Sequence, residues 1–130
     1  IAYQIPNFKH KDLTTLSALS ELFGSGKSSI LNKKLIYEKA LVNQIYAYPM
    51  DNIDNGLFMF IAVCNPNVKA EKVEKEIKKI VKNYKISKKE LKKLKLNNKM
   101  DFITSLESSD SVAQLFGSYF AKGDINPLLE

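Results

Sequence analysis

Apolar and polar positions change period several times along the chain, and each change marks an element. Residues 1–5, IAYQI, alternate and predict a strand that Pro6 ends by withdrawing a ladder donor. Leu13, Leu16, Leu19, Leu22 and Phe23 then recur at three- and four-residue spacing, predicting a helix N-capped by Asp12 and stopped at Gly24. A second helix follows, with Ile30, Leu31, Leu35 and Leu41 on its apolar side and Lys33, Lys34, Glu38 and Lys39 solvated. From Asn43 to Tyr48 the period returns to two. This predicts a strand with Ile45 and Ala47 on one face and Gln44, Tyr46 and Tyr48 on the other.

Pro49 to Asn55 is a turn rich in Asp and Asn, closed by Gly56. The unbroken apolar run Leu57 to Cys64 predicts a central strand covered on both faces, paired with the preceding strand as an antiparallel hairpin. Lys69 to Tyr84 reads as a helix with Val73, Ile77, Ile80, Val81 and Tyr84 inward. Its outer face is laced by Glu71–Lys75 and Glu74–Lys78. Ser87 and Glu90 have capping-box spacing and open a further helix with Leu91, Leu94, Met100 and Phe102 inward. A last helix, Ser111 to Ala121, is capped by Gly123, and Asn126-Pro127 closes it before a stub, LLE. The order β, α, α, β, β, α, α, α is an α/β (α+β) arrangement with helices packed on one face of an antiparallel or mixed sheet. Three strands for that many helices suggest a truncated domain whose remaining strands lie elsewhere in a longer protein.

At 130 residues the chain is a single domain, 1–130, able to bury roughly two thirds of its unfolded surface. The charge of +6 comes entirely from lysine, since there is no arginine. Lys69 to Lys99 holds 13 lysines and 4 glutamates, so the rest of the chain is net acidic. An anion-binding module is one reading of that stretch. Base readout and bidentate phosphate contacts favour arginine, however, and these lysines alternate with glutamate at helical spacing. A solvated helix face accounts for them better, so nucleic acid is disfavoured as a partner. No run approaches the ~18 apolar residues of a membrane span, which disfavours a membrane too.

Gly24 to Ser29, GSGKSS, invites comparison with a phosphate-binding loop. The required first glycine falls on Glu21, and a leucine-striped helix precedes the motif where a strand is needed. A glycine-rich helix end followed by Ser28 or Ser29 as the next N-cap explains it better. Cys64, in an apolar run, is the one cysteine and His10, in a polar loop, the one histidine. A zinc site of ordinary type needs more such ligands.

Leu16, Leu19, Leu22-Phe23, Gly24 and Gly26, followed by Ser29, Leu31, Leu35, Glu38-Lys39 and Leu41, form an ordered set. It continues with Gly56 to Ala62, Glu71 and Glu90-Leu91. This set resembles the pitrilysin/insulinase family of zinc metallopeptidases, which includes the mitochondrial processing peptidases. The resemblance implies a clamshell of homologous α/β domains with a zinc site on an H-x-x-E-H helix in the N-terminal half. The motif is absent here, so the chain resembles the second, metal-free half, with no catalytic or metal residue of its own and zinc expected only in the full-length protein. In several members that half supplies an Arg and a Tyr near the scissile bond, and the corresponding positions here are Ile36 and Asn43, so the pair is replaced. Tyr46 and Tyr48 are candidate substitutes, with hairpin packing as their structural alternative.

The function so implied is that of a C-terminal domain of a bacterial zinc endopeptidase, inert alone. It would enclose and position peptide substrate against the N-terminal catalytic domain of the same chain, with a strand edge as one means. The alternative from another class is a non-catalytic scaffold subunit of the same family. Exposed sheet edges would favour a homodimer. Compartment and peptide specificity are not encoded in the stretch.

Overall fold

The structure, a computed structural model, describes residues 1–129. Three strands, β1 (Ala2–Ile5), β2 (Val42–Met50) and β3 (Gly56–Cys64), form an antiparallel sheet in the order β1-β3-β2. Helix α1 (Asp12–Gly24) and a π-helical segment (Asn32–Glu38) separate β1 from β2. Helices α2 (Ala70–Asn83), α3 (Lys88–Ser105), α4 (Ser109–Ala121) and the short α5 (Asn126–Leu129) follow β3. The mixed α/β class and the hairpin are as the periodicity predicts.

The core lies between one face of the sheet and the helices. Ile45, Ala47, Phe58 and Phe60 project from the sheet onto Phe23, Leu31, Leu35, Val73 and Ile77. Leu31, at the cap of the π-helical segment, and Leu35 within it are wholly buried. Its wider winding appears as the Lys39 N–H donating to the Lys34 carbonyl, five residues back, at 3.1 Å. Gly24 explains half of the GSGKSS turn: a Cβ there would lie 2.1 Å from the Ala47 nitrogen, so α1 ends against the β2 backbone only because a glycine ends it. Gly26 explains the rest, with φ of +76°.

Several expectations change. β3 is central, but it is covered on one face only: Gly56, Phe58 and Phe60 are buried while Ile61 and Val63 are exposed. A single layer of helices covers the sheet, so the apolar run is half core and half surface. Pro49 and Met50 belong to β2; a proline fits there because β2 is an edge strand. Asp12 sits inside the first turn of α1, with Lys11 at the cap position. Glu74 and Lys78 pair at 2.6 Å, whereas Glu71 and Lys75 form no ion pair among the described residues.

The Ser87–Glu90 capping box forms in both directions. Beyond it α3 buries only Leu94, and Leu91, Met100 and Phe102 are exposed. Gly123, at φ +81°, ends α4 with the paired bonds of a Schellman motif, its N–H reaching the Phe120 carbonyl and the Asp124 N–H the Tyr119 carbonyl. Asn126-Pro127 opens α5 and does not merely terminate α4; Glu130, the last residue of the stub, lies outside the described residues.

Candidate substrate-facing surface

The uncovered face of the sheet is built by register. Gln44 stands opposite Val63, Tyr46 opposite Ile61, Tyr48 opposite Met59 and Met50 opposite Leu57, while Ala2 and Gln4 of β1 continue the same face beside Met59 and Leu57. Directly opposed residues in an antiparallel pair share a face, so these ten side chains form one surface. None is charged in a chain of net charge +6. The lysines are carried by the helical layer: Lys78 pairs with Glu74, and Lys39 reaches across to Glu76, whose carboxyl is held below its ordinary range by the Lys39 ammonium.

Tyr46 and Tyr48 sit at the centre of this surface, 50% and 39% exposed, with Met50, Ile61 and Val63 comparably open. Neither tyrosine is buried in the core, and each lies beside its cross-strand partner in the hairpin, Ile61 for Tyr46 and Met59 for Tyr48. Asn43 is exposed at a bulge, where the β2–β3 register shifts between Val42 and Gln44. Ile36 is elsewhere: half-buried on the π-helical segment, it packs against the hydrophobic core. The structure thus groups Tyr46 with Tyr48, leaves Asn43 at the strand's start and turns Ile36 inward. Sequence reasoning missed Met50, Ile61 and Val63 as surface residues. Their signal was the alternation hidden in an unbroken apolar run, where every second residue could face outward.

A second concavity, of about 420 Å³, lies between the GSGKSS turn and α3. Asn97 donates to Glu21 across it at 2.9 Å, and the Tyr84 hydroxyl donates to Glu90. Glu90 also accepts from the Ser87 hydroxyl and backbone, which together hold its carboxyl down at about 2. That same carboxylate pushes the Tyr84 phenol up to about 12. Glutamates offset the lysines here, so the turn is no phosphate cradle.

No group of three or more His, Cys, Asp or Glu side chains suited to a metal exists among the described residues. His10, the sole histidine, accepts from the Asp12 backbone N–H. The donor set does not fit a zinc ion.

Residues 1–98 match the family described as the peptidase M16 inactive domain. The chain belongs to that family. The M16 inactive domain is the metal-free half implied by the pitrilysin-type pattern. A Helicobacter pylori protein named zinc protease PqqE is 47% identical over 133 residues, covering 100% of this chain and 30% of that protein. The crystal structure of a protease from Helicobacter pylori superposes with a TM-score of 0.92 at 45% identity, covering 98% of this chain and 32% of that one. An inactive peptidase domain from Bordetella parapertussis gives a TM-score of 0.83 at 20% identity, over 98% of this chain and 71% of that one, and shows the shared fold. The chain therefore spans about a third of the length of its closely similar Helicobacter relatives.

Proposed function

We propose that residues 1–130 act as the metal-free half of a bacterial zinc endopeptidase, enclosing an extended peptide and positioning it against an N-terminal catalytic domain of the same polypeptide. The observation that carries this reading is the charge-free sheet face centred on Tyr46 and Tyr48, left uncovered by a helical layer that takes the lysines. Membership of the inactive-domain family and the near relative named as a zinc protease support it. Phenol rings on such a face give apolar area at low entropic cost together with a hydroxyl for a peptide carbonyl. The replaced pair is consistent with a wall and not with chemistry: Ile36 is turned into the core and offers no donor.

The test is cleavage of a mixed library of extended peptides by the full-length, zinc-loaded protein. Cleavage that a chelator abolishes and zinc restores is expected. A full-length protein that cleaves none of the library contradicts the reading and leaves the scaffold role.

A further inference from the structure

Helix α3 is inverted relative to an ordinary core helix. At about 100° per residue, Glu90, Leu94, Asn97, Asn98 and Ser105 fall within about 100° of arc, and they are the residues of the helix that are not exposed. The side turned to the rest of the molecule is therefore mostly polar. Asn97 donates to Glu21 of α1 there, and Leu94 is the one buried apolar residue.

The outward side is basic and apolar together. Lys88, Lys89, Lys92, Lys93, Lys95 and Lys99 lie across it, all exposed. Among them stand Leu91, Leu96, Met100, Phe102 and Ile103, 42–60% exposed. Both acids of the helix, Glu90 and Asp101, fall on the inner arc with Leu94. None of the six lysines makes an ion pair among the described residues, whereas on α2 Lys78 pairs with Glu74 and Glu76 with Lys39. A solvated face accounts for α2. It does not account for α3, because single exposed apolar residues are ordinary and a cluster of five on one side of one helix is not.

These side chains set the chemistry of a partner. It must be negative, to meet six unpaired ammoniums, and it must take up apolar side chains over the same area. It need not present bidentate acceptors, since every cation is lysine. A second copy fails on charge, because self-pairing of this face sets lysine against lysine. A nucleic-acid duplex supplies the charge but no apolar layer for Leu96 and Met100.

We infer that the outward face of α3 docks on an anionic lipid surface. The helix lies flat in the headgroup layer, its apolar side chains at the acyl boundary and its lysine stems reaching back to the lipid phosphates. No helix of the described residues is long and apolar enough to cross a membrane, and lying on one requires no such length. The inference stands whether or not the protein cleaves peptides.

Flotation of the full-length protein with vesicles tests it, comparing equal parts phosphatidylcholine and phosphatidylglycerol with phosphatidylcholine alone. At low salt the mixed vesicles are expected to bind about tenfold or more tighter, and the difference should shrink as salt rises. Lys92→Glu with Lys95→Glu should weaken that binding about tenfold, and Lys75→Glu with Lys79→Glu on α2 no more than about twofold. Leu96→Gln with Met100→Gln leaves the charge unaltered and should still weaken it about fivefold. All six side chains are exposed, so melting temperatures should not move. Absence of binding to the mixed vesicles at low salt overturns the proposal, and so does an equal loss from the α2 pair. Binding that ignores the Leu96 and Met100 changes and is competed by duplex DNA assigns the face to a polyanion, which overturns it too.

Discussion

Two small residues carry much of the local conformational burden. Gly24 ends α1 against the β2 backbone, and Gly24→Ala would drive a methyl to within 2.1 Å of the Ala47 nitrogen, against backbone that cannot yield cheaply. We expect a loss of about 3 kcal/mol in urea unfolding, the upper part of the overpacking range. Ala40 presents the opposite case. Its φ of +49° lies in the left-handed region, held there between the π-helical segment and β2 by the Asn65 amide on its carbonyl at 2.7 Å. Ala40→Gly relieves that strain, by more than the added freedom of the unfolded chain costs, and is expected to stabilise by about 0.5 kcal/mol in the same measurement. An Ala40→Gly protein less stable than the parent would contradict this account of the corner.

At the scale of elements, the Tyr84–Ser87–Glu90 cluster is the hinge by which α3 joins the core. Glu90 is held at about 2 in the folded state by the Ser87 hydroxyl first and the Tyr84 hydroxyl second. A carboxyl depressed on folding contributes stability that is present above its ordinary value of 4.5 and lost as pH falls toward 2. The phenol works at the other end of the scale, its contribution present below pH 10 and lost as pH rises toward 12. Melting temperatures of the Glu90→Gln protein should therefore fall less steeply than the parent's between pH 4.5 and 2, and Tyr84→Phe should flatten the alkaline limb; parallel curves would refute the assignment. Ser87→Ala should cost about 1 kcal/mol as a lost N-cap. Beyond this cluster α3 buries only Leu94, so amides of α3 and α4 should exchange well before those of β2 and β3.

The elements themselves were readable because their signals are local. Capping-box spacing at Ser87 and Glu90, the leucine stripe of α1 and the period-two stretch around Ile45 each need only their own neighbours. What could not be read was tertiary. Met100 and Phe102 look like core residues, yet both are about half exposed in the fold. Leu57 to Cys64 looks doubly buried because an apolar surface and an apolar core use the same residues. The candidate site was half legible for that reason: Tyr46 and Tyr48 were placed on the right face by alternation, but their partners Met50, Ile61 and Val63 were not. Ile36 was named by its position in a family pattern, and only packing shows that it points inward.

At the scale of the whole molecule, the sheet divides a lysine-rich exterior from a charge-free surface. One face carries the helices, with their ion pairs directed to solvent; the other offers tyrosine, methionine and aliphatic side chains without a single charge. An M16 inactive domain with that division suits an uncharged partner surface, and in the proposed protease that partner is the peptide. Around Lys69 to Lys99 part of the charge is paired, Glu74 with Lys78 inside the stretch and Glu76 with Lys39 of the π-helical segment.

The most direct measurement is the kcat/KM of the full-length protein, as the proposed peptidase, on an extended uncharged peptide after Ile61→Lys, a change at an exposed side chain that should leave the melting temperature unaltered. A buried ammonium facing bound peptide is expected to lower kcat/KM about tenfold, equivalent to about 1.4 kcal/mol of transition-state binding. A lysine placed on the helical exterior, as in Asn83→Lys, should change nothing. Equal kcat/KM for parent and Ile61→Lys would show that the open sheet face does not meet the substrate.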